Sequence, residues 1–317
     1  MTLKTFVKRH DSLLVVYVIL LLVFGFGAVS SSRFLTGINI GNIMEQAVSL
    51  GIVSLGQLLT ILLGGIDLSV GAVVSLSTTI MSLELFPGPF GVVVNLAITL
   101  LAGLAIGCLN GIGIARLRIP PFIMTLATMT IVNGIALKIR PTPGGSIPYE
   151  FMELLFGRIG IFPHAMIIWI VILCLLLWIL HHREFGRNIY AVGGGSVAAE
   201  LSGISVARIR IQAHIICSLI AAIAGICVAA RMGSGDATLG DLLGMDSVTV
   251  CVLGGVSLFG GQGEIMGLLA STFVLSGISN ILNMIGVSAN YQYVCKALIL
   301  LLTVLFFSIK GRKRETY

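Results

Sequence analysis

Apolar residues run along this chain in long unbroken blocks, and polar residues gather between the blocks. Residues 13–29, 44–63, 92–115, 165–180, 211–230, 265–285 and 294–309 form seven such blocks. A bilayer core of about 30 Å needs about 20 apolar residues per helical crossing, and these blocks approach or meet that length. Shorter or interrupted candidates lie at 68–83, 122–137 and 246–258. The pattern predicts an all-α integral membrane protein, a polytopic bundle of about ten spans in which some helices are broken. The blocks are continuous and lack a period of two, which excludes an outer-membrane barrel built of alternating segments about ten residues long.

Composition narrows the solvent. The 317 residues are 57% hydrophobic and 10% charged, with a mean hydropathy of +1.08. Soluble domains carry roughly 25% charged residues, so a water-facing fold would lack polar surface. The longest stretches outside the blocks are too short to hold a core of their own. A single transmembrane domain over 1–317, with no soluble domain, is expected. The first block follows Lys4, Lys8 and Arg9 and ends at the weak cleavage frame Ala28-Val29-Ser30, which reads as a retained signal anchor.

The net charge is +6, and its distribution carries topology. With ten alternating spans, Arg116, Arg118, Arg183, Arg187, Arg208, Arg210, Lys310, Arg312, Lys313 and Arg314 fall on the same side as the N-terminal cluster. Arg33, Lys138, Arg140, Arg158 and Arg231 fall on the other. The positive-inside rule then places both termini in the cytoplasm. Basic residues that flank spans, without patterning a soluble face, argue against nucleic-acid binding.

Two loops are long enough to hold structure. Residues 139–164 are rich in Pro and Gly, and the patch Phe151-Met152-Glu153-Leu154-Leu155-Phe156 predicts a short interfacial helix outside the cytoplasm. Residues 181–210 are expected to be cytoplasmic. There Ser196 reads as the N-cap of a short helix through Ala198, Ala199, Glu200 and Leu201, closed by Ser202, Gly203 and Ile204. Such a helix is either a docking element or an ordinary connector.

Glycine pairs interrupt two spans at depth: Gly64-Gly65 before Ile66-Asp67-Leu68-Ser69, and Gly254-Gly255 before Val256-Ser257. Their similarity hints at an internal repeat. Non-helical backbone at membrane depth survives only when buried in protein or facing a wet cavity. Asp67 is an intramembrane carboxylate, and such groups are functional candidates. Its position before 68–83 also suits capping, and a capped half-helix can do both. Thr125 and Asn133, with Thr128 and Thr130, put polar groups into another span, where interhelical hydrogen bonding is the plain role. Asp246 and Ser257 complete the set of translocation-path or broken-helix candidates, and Lys296 is expected to snorkel or pair.

Catalytic and metal chemistry find no frame. Leu258-Phe259-Gly260-Gly261-Gln262 mimics a nucleotide-cassette signature, but the chain contains no Gly-Lys dipeptide for a P-loop. His181-His182 lacks partner ligands at metal spacing. Cys108, Cys174, Cys217, Cys227, Cys251 and Cys295 are dispersed inside apolar runs and read as buried thiols. No enzyme, cofactor or metal is expected on this chain.

Five motifs in order carry a family resemblance: GGIDLSVG at 64–71, PFIMTL at 121–126, GRNIYAVGG at 186–194, AAELSGI at 198–204 and LGGVSLFGG at 253–261. With them, the chain resembles the inner-membrane permease subunits of ribose-type bacterial sugar importers, which are ATP-binding cassette systems, over about 39–309. The chain departs from that pattern at Gly195, Asn133, Gly244-Met245-Asp246-Ser247-Val248-Thr249 and Lys296-Ala297.

The resemblance implies a type II importer-like fold and inward transport of a monosaccharide or small polyol by alternating access. It implies a second permease subunit, an ATPase that holds ATP and Mg, and a periplasmic or extracellular sugar-binding protein. Residues 198–204 would form the coupling helix, and the path would be nearly uncharged. The rivals are a branched-chain amino-acid permease of the same plan and an ion-coupled secondary transporter.

Overall fold

The computed structural model describes the backbone of residues 11–315 and the side chains of 13–288 and 290–305. The basic groups Lys4, Lys8, Arg9, Lys310, Arg312, Lys313 and Arg314 lie outside the described residues or side chains. Thirteen helices and one two-stranded hairpin occur among the described residues. Seven helices are long and apolar enough to cross a membrane: α1 Asp11–Ser30, α2 Gly37–Leu62, α4 Gly88–Ala115, α5 Pro121–Ile139, α7 Ala165–His182, α10 Val206–Met232 and α12 Ile265–Met284. Two half-length helices, α3 Ser69–Met81 and α11 Asp241–Leu253, replace the broken candidates. The last helix, α13, runs Ala289–Glu315.

Burial sorts these helices into centre and rim. In α2, 89% of the hydropathy window is buried, and α10 and α12 follow; in α1 the share is only 11%, with α5 and α4 also low. The rim helices keep apolar side chains exposed, among them Leu21, Leu101 and Ile131, as lipid-facing surfaces should. Helix α10 packs on α2, α3 and α4, and α2 also receives α7, α11 and α12.

Small residues set the closest approach. On α4, Gly103, Gly107 and Gly111 repeat every fourth position and face α10. A Cβ on Gly107 would stand 2.7 Å from the Ile215 Cα, and one on Gly111 would stand 2.8 Å from the Ile211 Cα. Helices in lipid gain little from hydrophobic association, so such backbone-to-backbone contact supplies the packing.

The segments between spans depart from expectation in three places. The interfacial helix of 139–164 is present as α6, Tyr149–Phe156, but a hairpin of β1 Arg158–Ile159 and β2 Phe162–Pro163 follows it. Residues 184–194, read from sequence as loop, form helix α8, Glu184–Gly194, whose buried face is Gly186, Ile189 and Val192. The short helix α9, Ser196–Leu201, starts where expected, but Ser196 is its first residue and Gly195 holds the cap position without a side-chain bond. The cysteine reading also needs correction: Cys217, Cys227 and Cys251 are buried, whereas Cys174 is exposed and Cys108 and Cys295 are half-buried.

Candidate functional site

The first break, between α2 and α3, is closed by side chains. Asp67 is fully buried, and its Oδ1 accepts from the Ser69 N–H at 2.9 Å and from the Ser69 hydroxyl. Asn110 of α4 donates to Ser69 Oγ at 2.8 Å, and Thr128 of α5 donates to Asn110 Oδ1 at 2.6 Å. With its carboxamide suitably turned, Gln57 donates to the Asp67 carbonyl at 3.0 Å and accepts from the Asp67 N–H at 3.1 Å. Thr125 donates to the Ile66 carbonyl at 3.1 Å. The Ile66 carbonyl, both backbone groups of Asp67 and the first N–H of α3 thus find partners inside the protein, as buried polar backbone requires. Asp67 sits one residue before the cap position Leu68 and still holds the first N–H of α3.

The second break, between α11 and α12, is closed by its own turn and by glycine. Gly255 takes φ +87°, where a side chain would be strained. Ser257 N–H donates to the Gln262 carbonyl at 2.9 Å, and Gly260 N–H donates to the Ser257 carbonyl at 3.1 Å. Gly254 lies against Gly267 of α12, with no room for a Cβ.

The two breaks meet each other and α8. Gly261 N–H donates to the Leu62 carbonyl, the last of α2, at 2.9 Å. A Cβ on Gly260 would lie 2.8 Å from Gly64 N and 2.9 Å from Gly193 O. One on Gly193 would collide with the Leu62 carbonyl. Three motifs far apart in sequence therefore join backbone to backbone. Tyr190 of α8 adds a bond to the Gly263 carbonyl at 3.0 Å; burial, and then the Glu264 carboxylate, holds its phenol above the ordinary pKa.

From this joint, α9 projects on the same end of the bundle. Ala199 is buried against the core, while Val197 and Leu201 are 73% and 86% exposed and Ala198, Glu200, Ser202 and Gly203 are open. Ser196 and Ile204 are half-buried at either end.

At the opposite end of α2 lies a cavity of about 700 Å³. Asn39, Asn42, Gln46, Asn280, Asn283 and Gln292 bring six carboxamides to it, from α2, α12 and α13. Asn39 and Asn280 exchange amide hydrogen bonds at 2.9 and 2.8 Å. Four charged residues share the lining. Asp246 of α11 pairs with Lys296 of α13 at 2.6 Å. Glu45 pairs with Arg158 of the hairpin, whose guanidinium also donates to Asn42 Oδ1 at 3.0 Å. Arg231 makes no ion pair among the described residues. The expectation of an uncharged lining does not describe this cavity, where two acids and two bases stand among the amides.

The candidate residues thus divide. Gly64, Gly65, Asp67, Ser69 and Thr125 belong to the first break, and Gly254, Gly255 and Ser257 to the second. Asp246 alone lines the cavity. Asn133 does neither: it is half-buried on α5, which packs on α3 and α4. Sequence reasoning missed most of the cavity. A signal existed in the polar positions 39, 42, 46 and 49 and 276, 280 and 283, which recur at helical spacing leading into one apolar block and inside another. No cluster of three or more metal-ligating side chains forms among the described residues.

Residues 39–304 match the protein family described as branched-chain amino acid transport system / permease component. The ribose import permease protein of Escherichia coli is 36% identical over 313 residues, covering 95% of this chain and 94% of that one. The fructose import permease protein of Rhizobium meliloti is 32% identical, over 95% of this chain and 86% of its own. The galactose/methyl galactoside import permease protein of Haemophilus influenzae is 33% identical, over 95% of each. No solved structure matches the chain.

Proposed function

This chain belongs to the permease-component family of such transport systems, and on that premise we propose that it is the membrane-spanning subunit of an ATP-driven importer carrying a monosaccharide or similar small polyol inward. The cavity carries the reading. Each of its six carboxamides both donates and accepts, which suits hydroxyl groups that do the same. The names of relatives that align over nearly the full length, all sugar import permeases, support it.

In this reading, both termini and α9 face the cytoplasm. An ATPase subunit holds ATP and Mg and docks at residues 196–204, a second permease subunit completes the pore, and a binding protein delivers sugar at the cavity end. Closure of the ATPase moves α9, and the glycine joint passes that movement to both broken helices. The chain itself catalyses no bond change.

The test is uptake into vesicles that hold this chain with its ATPase and binding protein. Labelled pentoses and hexoses are expected to enter only with ATP. Asn280→Ala should lower that uptake about tenfold or more, since it strands buried amide partners. Uptake by the chain alone, driven by an ion gradient, would end the reading.

A second reading has its own observation. Glu45 and Arg231 place opposite charges in one cavity, an arrangement suited to a zwitterionic amino acid, and the family description names branched-chain amino acids. Competition of sugar uptake by leucine in the same vesicles decides between them.

A further inference from the structure

The most exposed large apolar side chain among the described residues is Phe259, at 92%. It stands in the turn that closes the second break, between Leu258, which packs on the core, and the joint glycines Gly260 and Gly261. Its own N–H is held by the Ser257 hydroxyl at 3.3 Å, so the ring projects from a fixed turn.

Lipid is the first occupant to consider for such a ring, and its position argues against lipid. The turn sits on the end of α2, through Gly261 N–H to the Leu62 carbonyl, and α2 is the most enclosed of the long helices. Phe259 therefore stands at the end of the most enclosed helix, whereas the rim helices α1, α4 and α5 present their apolar side chains sideways along their length. On the same end face, the Gly193-Gly194 step touches Gly260 and Gly261, and α9 begins at Ser196 with Val197 and Leu201 exposed. The ring and those two side chains are thus carried by backbone segments that touch.

We propose that the turn 257–263 is a second docking element for the ATP-hydrolysing subunit, with Phe259 as its anchor. The proposal rests on α9 being the first such element. A buried aromatic anchor is the usual form of an interface hot spot. A contact here has a direct mechanical path, because the turn is bonded to the ends of α2 and α11 and moves them without passing through α9.

A photoreactive phenylalanine analogue placed at 259, at 201 and at the lipid-facing Leu101 in membranes holding the assembled importer tests this. The residue keeps its aromatic character at 259, so folding is preserved. The analogue at 259 and at 201 is expected to capture the same chain, identified by mass spectrometry as the P-loop ATPase, while 101 captures lipid. Capture at 201 with only lipid or nothing at 259 overturns this proposal and leaves the function standing. Capture at neither position removes the docking face and this proposal together. Phe259→Ala should lower transport-coupled ATP hydrolysis about tenfold or more without changing the unfolding temperature of the isolated chain; wild-type hydrolysis in that variant overturns the proposal.

Discussion

The two ends of α2 are built on opposite plans. At Leu62, backbone meets backbone: Gly193, Gly260 and Gly261 leave no space for a Cβ, and Gly64 holds a φ of +75° that strains any side chain. Near Asn39, side chains surround a cavity, and carboxamides and charges from five helices converge on it. A joint without side chains has no rotamers to absorb displacement, so it transmits movement. A cavity lined by side chains can be retuned residue by residue without moving a helix. Division of labour between drive and selection follows from that contrast.

Five substitutions sharpen or break it. Asp246→Ala should cost the most, about 3–5 kcal/mol, because it leaves the Lys296 ammonium unpaired in a mostly buried site. Adding Lys296→Met should recover more than half of the loss in the thermal unfolding of the solubilised protein. Full additivity of the two would show that the pair does not hold α11 to α13. Gly193→Ala comes next, at about 1–3 kcal/mol of overpacking, with transport lost while substrate selectivity in residual uptake stays the same. A selectivity change there would erase the distinction between the ends. Asp67→Ala removes the α3 cap at about 1 kcal/mol and should leave the ratio of pentose to hexose uptake untouched. Glu45→Gln, at the more exposed pair with Arg158, should cost about 0–1 kcal/mol in stability.

The long spans were legible because hydropathy needs only local sequence, and α2, α4, α10 and α12 lie where the apolar blocks predict. Helix α8 was hidden by Gly186, Gly193 and Gly194, which lower helix propensity; burial of Ile189 and Val192 overrides that. The two similar glycine segments, whose likeness hints at an internal repeat, are contact partners in the fold. Asp67 could be read as a cap from its position before α3. The cavity was illegible for a different reason: Asn39, Arg231, Asn280 and Lys296 come from four helices, and only their packing makes them neighbours.

The enclosure of α2 also bears on biogenesis. It has the lowest mean hydropathy of the seven long helices, 1.4, and every helix it packs on closely begins at Ala165 or later in the chain. During synthesis, then, the second helix enters the bilayer as its least willing apolar segment, and the helices that enclose it follow only after more than half of the polypeptide has emerged. Its retention near the insertion machinery over that interval is part of what this architecture demands of the cell.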